Sequence, residues 1–436
     1  MAPTSITIAA GQPKYFYFGE VKVDGDDEGD ETVTFAIDTS TDYNINAAHD
    51  DATGTIKEGF GRYELASLSF GGDHTIKSDD GNFTYGIASH WSQLVQEIGL
   101  EQEPLAYTRG ADVQIESVVI VAGYDLGDAA VKIKATGPDG IKVGKKNGAL
   151  IDPFDAEIVG DYNHYIRAEN LDGSNLKDKV WHYDDFVLDW QVSVDDGEFI
   201  DAGSSNNDLY LTLNDPTPTP LYYTVLHIGS NKAKGEDMPE DVFAKVWTYF
   251  ETREVERVDG TKMKYWGTWA ENNSQTAVAT TVPELLKHAD GKCGAWAGLL
   301  RDVLAAQGIN ADFKGVKPIL NGVGIIVNNA TFPGSAAPGT INVDGGIPVY
   351  HENTVNTTGS VPAQNNDTPR QKFKDHAVVI YDGKIYDPSY GRGEYDNLKA
   401  WENAALAGVT IAREEQGVVS YWTFKNRLNE EDTRLV

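Results

Sequence analysis

Cys293 is the only cysteine in this chain of 436 residues, and its position indicates nucleophilic chemistry. It lies in the stretch GKCGAWAGLLRDVLAAQGI, where apolar residues recur with helical spacing after the cysteine. The first turn of a helix has unpaired backbone N–H groups and the positive end of the helix dipole, and both favour a thiolate. Asp290 is the expected N-cap of this helix and Gly308 its expected stop. The alternative is that Cys293 is a small buried apolar residue.

A thiolate nucleophile needs a base and a group that orients the base, and DHAVVIYDGKIYDPSYG contains both residue types. HAVVIY and KIYD have strand-like composition, and the DG between them predicts a two-residue hairpin turn. In this register His376 and Asp387 are diagonal neighbours on one face, about 7–8 Å apart at the backbone. An imidazole and a carboxylate at that separation can form a hydrogen bond. Taken singly, His376 fits an ordinary strand histidine, and Asp387 fits a turn residue before Pro388.

The elements that must position these residues change in character along the chain. Residues 1–105 and 106–213 contain short strand-like runs separated by turn signals, which is typical of all-β, sandwich-like domains. NDPTPTP at 214–220 predicts an extended connector, so 214–235 is interpreted as a linker. Residues 236–436 combine amphipathic helices with strands and hold all three candidate residues. The sequence therefore predicts a multidomain protein with N-terminal all-β domains and a C-terminal α+β catalytic domain.

The segments GKCGAWAGLLRDVLAAQGINA and HAVVIYDGKIYDPSYG together resemble those of the transglutaminase-like superfamily. The resemblance covers about residues 236–400 and implies a papain-like core with a Cys–His–Asp triad. It implies Cys293 as nucleophile, His376 as base and acid, and Asp387 as the residue that orients the imidazole. The backbone N–H of Cys293 would supply part of the oxyanion hole. Members of this superfamily take a second donor from an upstream Trp, Tyr or Gln, and the candidates here are Trp247, Trp266 and Trp269.

The resemblance implies chemistry at the amide bonds of a protein or peptide substrate and leaves the acceptor of the acyl group open. A cysteine hydrolase, either a peptidase or an amidase, is favoured because no feature of the sequence indicates an amine-donor site. One alternative is an acyltransferase that joins glutamine side chains to amines. The other is a catalytically silent structural or adhesion protein, against which the complete candidate triad argues. No cofactor and no metal are expected.

The composition excludes other classes of function. The formal net charge is -31 and no basic patch offsets it, so we do not expect nucleic-acid binding. No stretch approaches the roughly 18 apolar residues of a spanning helix, so no membrane insertion is expected. The N-terminus has no signal-peptide pattern. Secretion or display at the cell surface is favoured if a signal peptide was removed, and a cytoplasmic location otherwise.

Two further segments attract attention. The acidic run with Asp24, Asp26 and Asp27 offers oxygen ligands of the kind that calcium prefers, but it lacks EF-hand spacing and is interpreted as an exposed hairpin tip. The long stretch Gly315–Lys374 is rich in Gly, Asn and Pro and joins the cysteine helix to the histidine strand. We predict that part of it borders or covers the active site; the alternative is a surface excursion directed away from the site.

Overall fold

The structure is a computed structural model of the chain. It describes residues 31–36, 51–56, 63–85, 90–97, 102–148, 150–159, 164–217, 221–318, 322–327, 339–340, 348–351, 361–370, 372–415, 418–424 and 433–436. The acidic run at Asp24, Asp26 and Asp27 lies outside these residues. The chain divides into two compact units, Met1–Arg62 and Tyr63–Val436. In the first unit, β1 (Glu31–Ala36) pairs antiparallel with β2 (Asp51–Ile56).

The second unit begins with a large sheet, which contains eleven strands in the described part of the chain. Its strands are β3 (Tyr63–Gly71), β5 (Trp91–Ser92), β6 (Leu105–Thr108), β7 (Asp112–Ala122), β8 (Val131–Thr136), β9 (Lys142–Asn147), β10 (Leu150–Asp152), β11 (Phe154–Val159), β12 (Tyr165–Asn175), β13 (Trp181–Val194) and β14 (Ile200–Thr212). The main order is β5-β3-β7-β12-β11-β8-β13-β14-β6. Neighbours along it are antiparallel except β14 and β6, which are parallel.

Alternation along the strands explains how this sheet builds a core. Val113 and Ile115 of β7 are buried, and so are Phe186, Leu188 and Trp190 of β13. Successive side chains of a strand point to opposite faces, so these residues meet in one apolar cluster. The prediction of a β-rich N-terminal part is confirmed. Strands from both predicted blocks, 1–105 and 106–213, join this sheet, and their independent folding stays a prediction.

The predicted linker at 214–235 is wrong in its second half. β15 (Leu221–Tyr222) pairs with β4 (Ile76–Lys77), and α2 (Tyr223–Lys232) follows as a largely buried helix. Val225, Leu226 and Ile228 of α2 are at most 1% exposed, because the helix packs against β14 and the cysteine helix. The proline-rich composition therefore marks only the chain before this helix.

The remaining helices and strands form the part of the second unit that holds Cys293. Its helices are α3 (Pro239–Thr252), α4 (Thr268–Asn272), α5 (Val282–His288), α6 (Cys293–Ala306) and α7 (Leu398–Ala405), while a short α1 (Gln93–Glu97) lies beside β5. Two strands pair in parallel, β16 (Lys264–Tyr265) and β17 (Asp290–Gly291). Pro239 begins α3, and Gly308 follows α6 with φ +65°, as predicted for a helix stop.

Two antiparallel sheets complete the fold in the described residues. One has the order β25-β24-β23-β18-β28 and contains β18 (Asp312–Pro318), β23 (His376–Tyr381), β24 (Lys384–Asp387), β25 (Arg392–Tyr395) and β28 (Thr433–Leu435). The other has the order β20-β21-β27-β26-β19-β22 and contains β19 (Gly322–Val327), β20 (Gly339–Thr340), β21 (Pro348–His351), β22 (Lys372–Phe373), β26 (Leu406–Glu415) and β27 (Val418–Phe424). Helix α6 packs against β23. None of the helices described is both long and apolar enough to cross a membrane.

Candidate active site

Cys293 is the first residue of α6, so the strand that enters this helix sets its position. The N-cap is Lys292, which makes no side-chain capping bond, and the predicted capping by Asp290 is therefore wrong. Asp290 instead caps the neighbouring helix α4. Its buried carboxylate accepts hydrogen bonds at 2.7, 2.9 and 3.2 Å from the backbone N–H groups of Gly267, Trp269 and Ala270. The short β17 and the start of α4 are thus joined next to the thiol.

Close backbone packing holds Trp266 and Gly267 against the residues that enter α6; this segment is called the wall of the site. A Cβ at Gly267 would lie 2.5 Å from Oδ2 of Asp290, so only glycine allows the cap. Trp266, the preceding residue, has φ +50°, a left-handed conformation that costs a non-glycine residue on the order of 1–3 kcal/mol. Its N–H donates to the carbonyl of Gly291 at 3.0 Å. The wall is therefore fixed by backbone contacts made within two residues of Cys293.

Lys292 places a buried ammonium group beside the thiol. Its Nζ donates to the backbone carbonyls of Asn273, Ser274 and Thr276 at 3.0, 3.0 and 2.9 Å, which uses all three of its protons. Burial lowers the pKa of Lys292, and the neighbouring charge of Cys293 acts in the opposite direction. This residue ties the loop after α4 to the first turn of α6.

His376 and Asp387 are in direct contact. Tyr381 pairs with Lys384 across the hairpin, in the register that the DG turn predicts. His376 begins β23 and Asp387 ends β24, and their Nε2 and Oδ2 atoms are 2.9 Å apart. Both side chains are 2% exposed, so solvent does not screen the pair. The structure thus brings the predicted base and its predicted orienting group together in a buried place.

The protonation equilibrium of His376 reflects these contacts. Burial opposes the charged imidazolium, but the charge and hydrogen bond of Asp387, followed by Cys293, outweigh it and raise the pKa of His376 to about 10. The other ring nitrogen, Nδ1, is buried and has no hydrogen-bond partner in the described part of the chain. The imidazole is close enough to Cys293 for the cysteine to contribute to its raised pKa. In general, an imidazolium beside a cysteine is an arrangement that nucleophilic thiols use.

Aromatic rings enclose His376. The ring centroids of Phe373, Tyr390 and Trp401 lie 6.0, 5.8 and 5.9 Å from the centroid of the imidazole, and the Trp401 ring is nearly parallel to it at 14°. Packing on several sides fixes the orientation of the ring and excludes water from the pair with Asp387. Sequence reasoning missed this enclosure, although Tyr390 lies within the motif that identified His376.

Tyr265 is a second residue that sequence reasoning missed. Its side chain is fully buried, and burial first, then Tyr390 and then Cys293 raise the pKa of its hydroxyl well above the usual range. The hydroxyl has no hydrogen bond of good geometry to any described residue, although the ring of Tyr390 lies 5.2 Å away. Tyr265 thus presents a neutral O–H donor close to the thiol.

The three tryptophans considered from sequence have different environments. Trp247 packs on Tyr386 with ring centroids 5.0 Å apart, and Trp269 stacks on His288 at 4.1 Å. These contacts give both rings a packing role, although the buried Nε1 of Trp247 has no hydrogen-bond partner among the described residues. Trp266 remains in the wall beside α6, with an indole Nε1 that is buried and unpaired among the described residues.

No family model matches the chain, and no curated protein matches it. Among solved structures, 21 chains are similar to it, and three of them, all with low TM-scores, are the following. Red sea bream transglutaminase has a TM-score of 0.25 at 12% identity, with 66% of this chain and 49% of that chain covered. A family 123 glycoside hydrolase from Clostridium perfringens has 0.15 at 14% identity, covering 38% and 34%. A Parabacteroides distasonis protein proposed to be a protease has 0.16 at 11% identity, covering 59% and 61%.

At these TM-scores the likenesses carry no argument about fold or activity. The chain spans about half the length of the transglutaminase, or 49%. Within the described residues, no group of three or more His, Cys, Asp or Glu side chains is arranged to hold a metal ion. The case for a function therefore depends on the geometry around Cys293.

Residues 361–370 connect Tyr265 and Trp266 with Phe250 and with Pro388, which directly follows β24. Gln364 donates from Nε2 to the carbonyls of Phe250 and Pro388, both at 2.8 Å. Its backbone carbonyl accepts a hydrogen bond from the backbone N–H of Tyr265 at 2.9 Å. Asn366 donates to the carbonyl of Tyr265 at 2.8 Å and also to that of Trp266. Part of Gly315–Lys374 therefore borders the candidate site, as predicted. Residues 352–360 lie outside the described residues, and a covering role stays a prediction.

Proposed function

We propose that this chain is a transglutaminase-like cysteine hydrolase with a papain-like core, which cleaves amide bonds of proteins or peptides through a thioester. The observation that carries the proposal is the buried pair of His376 and Asp387 beside a cysteine at a helix N-terminus. A cysteine that served only as packing would not need a buried ion pair next to it. Such a pair costs several kcal/mol of desolvation per ion unless each partner stabilises the other.

In the first half of the reaction, the Cys293 thiolate attacks the amide carbonyl carbon and a carbon–sulfur bond forms. His376, protonated through its partnership with Asp387, gives its proton to the amide nitrogen as the carbon–nitrogen bond breaks. The amine leaves and the acyl group remains on sulfur as a thioester. The high pKa of His376 in the resting enzyme suits the role of proton donor.

In the second half, neutral His376 removes a proton from water as the water oxygen attacks the thioester carbon. The carbon–sulfur bond breaks, the carboxylic acid leaves, and the thiolate and imidazolium are restored. Asp387 holds the imidazole in one orientation throughout, because its carboxylate accepts the Nε2–H bond. In this orientation Nδ1 faces the reacting atoms and exchanges the proton.

The oxyanion of each tetrahedral intermediate needs donors. The N–H of Cys293 is one, because the first residues of a helix have no intrahelical partner for their N–H groups. We assign the second to the hydroxyl of Tyr265, which is buried, close to Cys293 and without a hydrogen bond of good geometry in the described residues. Trp266 supports this assignment indirectly by fixing the chain that carries Tyr265.

The decisive experiment incubates the full chain with a protein mixture in ¹⁸O-labelled water that also contains a biotinylated primary amine. Mass spectrometry then identifies the products. Hydrolysis gives carboxyl groups that carry ¹⁸O, and transamidation gives glutamine residues that carry the amine. We expect ¹⁸O-labelled carboxyl groups that disappear in Cys293→Ala. Amine incorporation in preference to ¹⁸O would replace the hydrolase by the acyltransferase.

Alkylation of Cys293 provides an independent check that requires no substrate. Iodoacetamide reacts with thiolates, so the rate at neutral pH should fall in His376→Gln, while a matched change of the exposed His288→Gln should leave it unaltered. Equal alkylation rates in wild type and His376→Gln, together with no product that depends on Cys293, would show that the site is a silent scaffold.

A further inference from the structure

A cavity lies away from Cys293, where the large sheet meets helix α2; it is called the second cavity to separate it from the candidate active site. Its volume is about 640 Å³, within the range of small-molecule sites. Strands β13 and β14 and helix α2 supply most of its lining, and the segment around Asp259 closes one side. The chemistry proposed for Cys293 uses none of these residues.

Buried polar groups without hydrogen-bond partners line this cavity. Trp91, His182 and Asn207 are 2%, 4% and 2% exposed. Within the described residues, Nε1 of Trp91, both ring nitrogens of His182 and Oδ1 of Asn207 have no hydrogen-bond partner. Leaving a buried polar group unpaired costs about 1–3 kcal/mol. Several such groups around one cavity are candidate partners for the hydrogen bonds of a ligand.

The wall of the cavity is already ordered around one carboxylate. Asn231 donates to Nε2 of His227 at 3.1 Å, so His227 carries its proton on Nδ1 and donates to the Tyr210 hydroxyl at 3.0 Å. Tyr210 and Tyr223 in turn donate to Oδ2 of Asp208, at 3.3 and 2.8 Å. This series of hydrogen bonds holds Oδ2 of Asp208 in place. The other oxygen of Asp208, Oδ1, is 3.9 Å from His182.

The charges of the lining select against anions. None of the lining residues is a lysine or an arginine, and three of them are carboxylates. Two of these carboxylates have basic neighbours behind them, because Lys234 lies 3.8 Å from Asp184 and Arg257 pairs with Asp259. Asp208 is the carboxylate that neither of these basic residues pairs with. The cavity therefore disfavours an anionic ligand.

We propose that this cavity binds a neutral carbohydrate of about one to two sugar units. A hydroxyl group both donates and accepts, so one class of ligand can satisfy Asp208 and Asn207 as acceptors and the Trp91 N–H as a donor. An ammonium ligand only donates and would leave Trp91 unpaired. The partly exposed ring of Tyr223 offers apolar surface for the C–H face of a sugar ring.

Binding is tested on the full chain with glucose, galactose, N-acetylglucosamine, maltose and cellobiose, each measured by saturation-transfer NMR and calorimetry. We expect at least one sugar to bind wild type, and Asp208→Asn to weaken that binding by about tenfold or more. The matched control is Asp185→Asn, an exposed aspartate on the neighbouring strand β13 that does not line the cavity. Cys293→Ala should bind the sugar as wild type does, because the two sites are separate.

A second variant guards against misfolding of Asp208→Asn. Asn206 is exposed and lines the cavity, so Asn206→Ala should fold normally and also weaken sugar binding. Hydrogen exchange should show that the bound sugar protects residues 206–208 and α2, and leaves the start of α6 unchanged. The proposal is overturned if none of the sugars binds, if spermidine binds in their place, or if both cavity variants bind as tightly as Asp185→Asn.

Discussion

His376 beside Cys293 and His182 in the second cavity are both buried and both have carboxylates nearby, yet their pKa values move in opposite directions. The pKa of His376 is raised to about 10, while burial lowers that of His182 and outweighs the raising effects of Asp208 and Asp184. The distances explain the difference. His376 is 2.9 Å from Asp387, whereas His182 is 3.4 Å from Asp184 and 3.9 Å from Asp208, without hydrogen-bond geometry.

Solvent exposure of the carboxylate adds to this difference. Asp387 is 2% exposed, but Asp184 is 78% and Asp208 is 31% exposed, so water screens their charges. A buried imidazole is therefore charged only where its partner is buried with it and shares a hydrogen bond. In the functions that we propose, the first region holds and transfers a proton, and the second offers neutral, unpaired polar groups to a ligand.

The largest expected effect comes from removing the charge that distinguishes the two histidines. Asp387→Asn removes the largest influence that raises the pKa of His376, so this pKa should fall and the proton donor should be lost at neutral pH. By analogy with other triads, Cys293-dependent turnover should drop by about 10³–10⁴-fold. NMR titration of His376 and product yield measure the two effects. Asp184→Asn, beside His182, should leave turnover unchanged, and equal losses in both variants would contradict the comparison.

The two regions should also influence stability at opposite ends of the pH range. His376 has a folded pKa above its unfolded value of 6.5, so its contribution is complete below pH 6.5 and is lost as pH rises through about 10. His227 has a folded pKa of about 4, lowered first by burial and then by His182, so stability is lost as pH falls from 6.5 to about 4. That loss amounts to about 3 kcal/mol.

Urea unfolding of variants at several pH values separates these two contributions. His376→Gln should flatten the alkaline limb of the stability curve and leave the acid limb as in wild type. His227→Gln should flatten the acid limb only. An identical pH dependence in the two variants would mean that neither pKa shift survives in solution.

The same conservative change at two tyrosines tests the assignment of the oxyanion donor. Tyr265→Phe removes the proposed donor, so turnover should fall by about 10²-fold while the alkylation rate of Cys293 persists. Tyr223→Phe, next to Asp208, should leave turnover unchanged and weaken sugar binding. If Tyr265→Phe keeps full turnover, the second donor lies elsewhere, with Trp266 the next residue to change.

The smallest expected effect compares two lysines. Lys292→Met leaves the carbonyls of Asn273, Ser274 and Thr276 without their donor and should lower the free energy of unfolding by about 2 kcal/mol. Lys234→Met removes a partly exposed ion pair with Asp184 and a cation–π contact with Trp181, and should cost about 1 kcal/mol. Equal destabilisation would indicate that the bonds of Lys292 are not kept in solution.

Rules for turns, helix ends and strand alternation were enough to predict part of the fold and of the candidate site. The hairpin register of Tyr381 and Lys384 follows from the DG turn, and the stop of α6 follows from Gly308. The contact between His376 and Asp387 follows from that register, because strand side chains alternate. Each of these inferences spans fewer than about 20 residues, a distance over which periodicity and turn chemistry act directly.

Only the tertiary structure decided the rest. Asp290 is a residue type that commonly caps the helix following it. It caps α4 instead, because the parallel pairing of β16 and β17 brings the N–H groups at the start of α4 to its carboxylate. The side chain of Gln364 donates hydrogen bonds to Phe250, 114 residues away, and to Pro388. No local sequence pattern predicts these bonds. Burial raises the pKa of Tyr265 and lowers that of His182. The sequence alone determined which groups can carry a proton, and long-range packing decided which of them are buried together.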